Sequence, residues 1–196
     1  MFAVDISNFS GEITDEQATL IRDSNRKIVI GCQDVDIAIR NAATALKHCL
    51  EVELYVPFYT SIPIERELNK AQDVVRSVFK DRVPPFLWLD FEDAIPEGVS
   101  SDMVLGWADR IIRVASQEPF YWIRDTELGI YTRRSWWEQY TGSSTEFDSY
   151  KLWDANYDGV ADLSAGYTPY GWKAPAMKQY RENFDLWGVN VDLNVY

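Results

Sequence analysis

The sequence predicts an α/β barrel, and three observations carry that expectation. Short β-branched or aromatic runs alternate with amphipathic helical segments through the first two thirds of the chain, the pattern of βα units on a mostly parallel sheet. The strand candidates number about eight, enough to close such a sheet on itself. No Gly-rich fingerprint follows any strand, which argues against an open dinucleotide-binding sheet. The length, 196 residues, suits one domain of roughly 150–250 residues with a real core, so residues 1–196 are read as a single domain.

The elements follow in order. Strands are expected at Phe2–Ile6, Lys27–Gly31, Glu53–Phe58 and Phe86–Phe91, each a compact apolar run bounded by polar or Pro/Gly residues. A helix over Thr14–Ser24 opens on a Thr14-x-x-Gln17 capping box. Asp34–Leu50 carries apolar residues at 35, 38, 39, 42, 43, 46 and 50, one face of a helix. Ile64–Phe79 follows Pro63, and Ser101–Ser116 carries a stripe through Val104, Leu105, Ala108, Ile111 and Ile112 behind a serine cap. A fifth strand, Leu128–Thr132, precedes a short helix near Arg134–Tyr140. The rhythm then changes: strands at Lys151–Ala155, Ala176–Arg181 and Val189–Val195 have little helix between them. The barrel is thus expected to lose its helices towards the end.

Composition narrows the chemistry. One histidine (His48) and two cysteines (Cys32, Cys49) disfavour Ser-His-Asp triads and most zinc sites. A formal net charge of −12 disfavours a broad nucleic-acid footprint. Eight Trp, eleven Tyr and nine Phe accompany 31 Asp plus Glu, so carboxylate and aromatic surface remain as raw material. No apolar stretch approaches the roughly 18 residues of a membrane span. MFAVDISNF lacks a basic, then apolar, leader and reads as an entering strand rather than a signal peptide. Both cysteines are expected as free, buried thiols.

The most informative segment is PPFLWLDFED. Its apolar strand ends in Asp90 and Glu92, and residues i and i+2 of a strand face the same side about 6.5 Å apart. At the C-terminal end of a barrel strand both acids point into the mouth where barrel enzymes keep their sites. Two neighbouring carboxylates in a semi-apolar pocket ionise unequally, one pushed towards the neutral acid. Glycoside hydrolysis needs that division between proton donor and anion. The bland alternative is a solvated strand end with Asp93 as a helix cap. Asp5, near the end of the first strand, and Asp192, within VNVDLNV, are further acids embedded in apolar β patterns. An acid there is costly unless paired or functional.

Six segments in order extend this reading: VDISNFSG, LWLDFED, LGIYTRRSWW, KLWDANY, MKQY and GVNVDLNVY. They resemble the motifs of glycoside hydrolase family 25, the lysozymes (N-acetylmuramidases) of bacteria, phages and fungi. The resemblance runs from end to end and implies a TIM-like, flattened (β/α)5(β)3 barrel forming one catalytic domain. It implies Glu92 as general acid/base and Asp90 as the carboxylate orienting the substrate N-acetyl group in a neighbouring-group mechanism. Asp5 becomes a further catalytic acid supporting them, with Asp192, Tyr131, Tyr55, Trp153 and Gln179 as substrate-binding residues. The implied reaction is hydrolysis of the β-1,4 bond between N-acetylmuramic acid and N-acetylglucosamine in peptidoglycan, by a phage lysin or cell-wall lytic enzyme. The alternative is a catalytically inactive glycan-binding barrel in a virion or surface assembly. No metal, cofactor, nucleic acid or membrane insertion is expected, and the chain is expected as a monomer or part of a larger assembly at the bacterial wall.

The chain departs from the family pattern at three places. Ile30-Gly31-Cys32-Gln33-Asp34 stands for a Lys-Ala-Thr/Ser-Glu-Gly type motif, and Leu54-Tyr55-Val56-Pro57-Phe58 for Ala-Tyr-His-Phe, so Val56 replaces a histidine. Met177 or Lys178 takes the place of a tryptophan before Gln179.

Other features allow two readings each. The aromatics of the 156–175 loop either stack on sugar or pack the loop. Asp154-x-Asn156-x-Asp158-Gly159 imitates the start of a calcium loop, but its twelfth position is Ala165 rather than Glu. Trp136-Trp137 reads as packing, His48 as a surface or half-buried residue, and Arg133-Arg134 as a solvated pair or a contact for an anionic substrate group.

Overall fold

A computed structural model of the chain describes residues 1–80, 85–117, 119–120 and 128–196; Pro84, the first residue of PPFLWLDFED, lies outside them. Eight strands close a barrel in chain order: β1 (Phe2–Ile6), β2 (Lys27–Gly31), β3 (Glu51–Pro57), β4 (Leu87–Phe91), β5 (Leu128–Thr132), β6 (Lys151–Ala155), β7 (Met177–Leu186) and β8 (Val189–Val195). Helices α1 (Asp15–Ser24), α2 (Val35–Lys47), α3 (Ile64–Val74), α4 (Ser101–Ala115) and α5 (Arg134–Thr141) follow β1 to β5 in turn. Neighbours from β1 to β7 are parallel, whereas β8 runs antiparallel to both β7 and β1. The architecture is the expected (β/α)5(β)3 barrel. Among the described residues no helix is long and apolar enough to cross a membrane.

Local chemistry sets the helix starts. Thr14 and Gln17 form the expected reciprocal capping box, the Asp34 side chain accepts from Ile37 N, and Ser100 accepts from Met103 N. Each satisfies a backbone donor that has no partner within the helix. The apolar stripes of the helices then cover the barrel's outer face, burying Ala38, Ala42, Leu68, Val104, Ile111 and Trp137 against outward residues such as Ile28, Ile30, Leu54, Leu89 and Ile130.

Several boundaries differ from expectation. β3 starts at Glu51 and ends at Pro57, because Glu51 pairs in register with Lys27. α2 stops at Lys47 rather than Leu50, where Cys49 takes a left-handed conformation (φ 62) that ends the helix. That turn leaves Cys49 exposed, correcting the expected burial; Cys32 is buried, and both are free. The Ile64–Phe79 segment divides into α3 and a widened π turn over Val75–Phe79. β7 runs on to Leu186, forming a long irregular hairpin with β8.

Candidate active site

Strand periodicity fixes which side chains enter the barrel. Tyr55, Trp88, Tyr131 and Trp153, from β3 to β6, meet inside it with Ala3, Val29, Ala155 and Met177. The Tyr131 and Trp153 rings lie 4.5 Å apart and those of Trp88 and Trp153 5.6 Å apart, in edge-to-face contacts. Gly31 admits this layer: a Cβ there would fall 2.6 Å from the Tyr55 hydroxyl. The result is an aromatic floor.

Polar residues one step further along the same strands stand on it. Asp5 and Asp192 are register partners on β1 and β8. Gln179 links them, its amide nitrogen donating to Asp5 Oδ2 at 2.9 Å and to Asp192 Oδ2 at 3.1 Å. Its oxygen accepts from the hydroxyls of Tyr131 at 2.7 Å and Tyr157 at 2.9 Å. Asn194 gives Asp5 a second donor at 2.7 Å, and its own oxygen accepts from Trp153 Nε1 at 2.8 Å. Every polar atom of the Gln179 amide is thus committed, which fixes the orientation of the acids around it.

Asp90 and Glu92 complete the site. Asp90 is buried (6% exposed), and its Oδ1 has no hydrogen-bond partner among the described residues. Glu92 follows the end of β4 at the rim, where Tyr131 Oη approaches its Oε2 at 3.5 Å. Both acids line an open cleft of about 440 Å³ with Asp192, Tyr55, Gln33, Phe9 and Arg133. Trp136 donates from its ring nitrogen to the carbonyl of Asp93 at 2.7 Å, tying down the segment that follows Glu92.

The electrostatics follow from this crowding. Burial, then the charge of Asp192, raises Asp5 to about 7 against the hydrogen bonds from Asn194 and Gln179. Burial, then Glu92 and Asp5, holds Asp90 well above the ordinary aspartate range. Glu92 is raised by desolvation of its inner side, opposed by the Arg133 charge and the Tyr131 hydroxyl. Asp192 is raised by desolvation against a bond from Asn183 N. Tyr131 is raised far above the phenol range by its own burial and so stays a proton donor. All four carboxyls are thus raised, Asp5 to about 7, which is the direction a proton-delivering carboxyl needs.

The residues singled out from the sequence therefore come together, at two depths. Asp90, Glu92, Asp192 and Tyr55 line the cleft, while Asp5, Tyr131 and Gln179 form the layer beneath. Tyr131, Trp153 and Gln179 correct the expectation of cleft-lining residues: all three are buried beneath the cleft, and the Trp153 ring nitrogen is used on Asn194. Asn194 and Gln33 belong to the site with no motif of their own to mark them. Asn194 lies two residues from Asp192 on one strand, the same spacing that marked Asp90 and Glu92.

The remaining motifs resolve as well. Trp136 and Trp137 are buried packing residues, as expected. His48 is half-buried, with Nε2 2.9 Å from Asp15 Oδ1. Arg134 pairs with Glu138, whereas Arg133 stands at the cleft. Tyr170 and Trp172 of the 156–175 loop pack inward while Tyr157 reaches the site. The calcium-like acids are directed apart, Asp154 accepting from Tyr170 and Asp158 pairing with Lys178. Among the described residues no group of three or more His, Cys, Asp or Glu is placed to hold a metal ion.

A closed βα barrel with clustered, raised carboxyls at the C-terminal ends of its strands has the form of a glycosidase. No family model matches the chain. It is 30% identical over 161 residues to probable GH family 25 lysozyme 5 of Dictyostelium discoideum, covering 81% of this chain and 70% of that one. To probable GH family 25 lysozyme 2 of the same organism it is 40% identical over 70 residues, 35% of this chain and 32% of the relative. The fold matches a muramidase from Trichobolus zukalii (TM-score 0.74, 19% identity, 100% of this chain and 93% of the other). It also matches the modular autolysin LytC of Streptococcus pneumoniae, solved with a synthetic peptidoglycan ligand (TM-score 0.70, 13% identity, 98% of this chain and 46% of the other). The chain belongs to glycoside hydrolase family 25.

Proposed function

We propose that the chain is an N-acetylmuramidase that hydrolyses the β-1,4 bond between N-acetylmuramic acid and N-acetylglucosamine, acting as a lytic enzyme at the bacterial cell wall. The observation that carries this reading is the placement of Glu92, a rim carboxyl raised by desolvation, in one cleft with buried Asp90, whose Oδ1 has no partner among the described residues. Glu92 gives its proton to the glycosidic oxygen as the bond to the anomeric carbon breaks. The acetamido carbonyl oxygen of the same sugar closes onto that carbon, and Asp90, through its unpartnered Oδ1, accepts the acetamide N–H and so orients the group. Glu92, now a carboxylate, takes a proton from the water that opens this ring, which returns both groups to their starting state. An amide N–H satisfies the acceptor that Asp90 leaves unused, a group that a sugar with a free 2-hydroxyl presents differently. Asp5 and Asp192, bridged by Gln179, stand beside Asp90 as supporting acids, and Tyr55 borders the sugar site.

The peptidoglycan bound to LytC, a protein of the same fold, supports the choice of substrate. Net charge does not, since the wall is anionic and repels a chain of charge −12. The test is release of new reducing ends from purified peptidoglycan. Wild-type protein releases them; Glu92→Gln does not, while keeping its fold. Full activity in Glu92→Gln overturns the assignment of the acid, and glycan binding without turnover by the wild type overturns the enzyme.

A further inference from the structure

One buried charge has no part in the chemistry above. Lys178 precedes Gln179 on β7, faces away from the barrel interior, and has a side chain that is 0% exposed. Its ammonium donates to Asp158 Oδ2 at 2.8 Å and to the carbonyls of Ala165 at 2.8 Å, Val160 at 3.2 Å and Asp162 at 3.3 Å. One carboxylate and three carbonyls around a buried positive charge form the donor set of a hard-cation site. Here the chain's own ammonium fills it. All four oxygens come from the loop between β6 and β7, which is wrapped around the tip of the lysine. Gly166 permits the wrap, at φ +69 with space for a Cβ only 2.9 Å from Asp158 Oδ2.

A buried ion pair adds little net stability over an apolar replacement, and its best-attested use is to fix one register among several. The register fixed here has a second side. On β7 Lys178 and Gln179 point to opposite faces, and the loop meets both: Asp158 contacts Lys178 outside while its neighbour Tyr157 contacts Gln179 inside. Asn156 N donating to Gln179 O and Gly159 N to Tyr180 O, at 3.0 and 2.9 Å, tie the start of the loop to β7 at this point. Inside, Tyr157 Oη lies 2.9 Å from Gln179 Oε1 and 3.2 Å from Tyr131 Oη. Gln179 Oε1 therefore has two phenol donors, and Tyr131 has two acceptors, Gln179 and Glu92. A phenol carries one proton. With Tyr157 serving Gln179, the Tyr131 proton is free to turn to Glu92 once that carboxyl has released its own.

We infer that Lys178 is a positioning residue, a tethered internal cation that folds the β6–β7 loop and sets Tyr157 against Gln179, so that Tyr131 can stabilise ionised Glu92. The inference rests on the reading of Glu92 as acid/base. Lys178→Met, Asp158→Asn, Tyr157→Phe and the Lys178→Met/Tyr157→Phe double variant test it, by peptidoglycan hydrolysis and by hydrogen exchange of residues 156–175. Exchange in the loop accelerates at least about tenfold in Lys178→Met and by less in Asp158→Asn, with β1 to β4 unchanged. Lys178→Met and Tyr157→Phe each lower kcat about tenfold with KM little altered, and the double variant falls no further. The alkaline limb of kcat/KM moves to higher pH in both, because the Glu92 carboxylate has lost a donor. Unchanged loop exchange in Lys178→Met and Asp158→Asn, multiplied losses in the double variant, or an unmoved alkaline limb overturns the inference. If Lys178→Met fails to fold, Asp158→Asn and Tyr157→Phe decide it. A wild type that releases no reducing ends refutes the muramidase reading, and the exchange comparison still decides whether Lys178 tethers the loop.

Discussion

The two ends of the barrel treat buried charge in opposite ways. Where the parallel strands begin, Lys27 Nζ meets Glu53 Oε1 at 2.5 Å and Glu51 Oε1 at 3.3 Å and lies 4.2 Å above the Tyr196 ring. The second oxygen of Glu53 accepts from Trp88 Nε1 at 2.6 Å. There each of these charges touches an opposite one, a single ammonium being shared by two carboxylates. Where the strands finish, Asp5, Asp90, Glu92 and Asp192 crowd together, and among the described residues Arg133 is the cation that lines their cleft. One fold thus closes its charges at one end and leaves them in excess at the other. Burial without compensation is costly, and barrels concentrate that cost where the chemistry is done.

Four changes break or sharpen the contrast, from the largest effect down. At the unbalanced end, Glu92→Gln lowers turnover by about 10³-fold or more, measured as reducing ends released, while the melting temperature moves by no more than about 2 °C. At the balanced end, Glu53→Gln strands Lys27 beside the half-exposed Glu51 alone and destabilises by about 3 kcal/mol in urea unfolding at pH 7. Turnover per folded molecule stays at the wild-type level.

Asp5→Asn has the opposite sign. Its folded carboxyl is raised from 3.8 to about 7, so the wild-type fold is favoured at low pH and loses that advantage as pH rises through this window. The asparagine variant is therefore more stable at pH 8 by about 1–4 kcal/mol, and the gain disappears below about pH 4. A gain that is independent of pH would show that Asp5 is not buried as a proton-retaining acid. Smallest is Trp136→Phe, which removes the bond to the Asp93 carbonyl at the rim and costs about 1 kcal/mol, read by thermal melting.

Much of this was legible in the residues. The compact apolar runs located all eight strands, five of them to the residue, because they are short, rich in β-branched or aromatic residues and sharply punctuated. Asp90 and Glu92 stood out because acids are rare at the end of a run as apolar as FLWL. What escaped depended on depth. Trp153 and Asp192 occupy similar β patterns, yet one forms the floor and the other lines the cleft, a distinction made by barrel closure between β1 and β8. Lys178 read as a substitution for an aromatic and the Asp154–Asp158 run as a faint calcium loop. Only the wrapping of the loop shows that each explains the other. Cys49 was misplaced because its burial depends on a left-handed turn that no neighbouring glycine announces.

The aromatic floor has an optical consequence. Trp153 is bonded to Asn194, which in turn holds Asp5, so the indole sits one side chain away from a group that changes charge near neutral pH. The difference in emission between wild-type protein and Trp153→Phe should titrate with a midpoint of about 7. It should shift again when a saccharide settles above the floor. The barrel thereby carries its own indicator dye, read without a label.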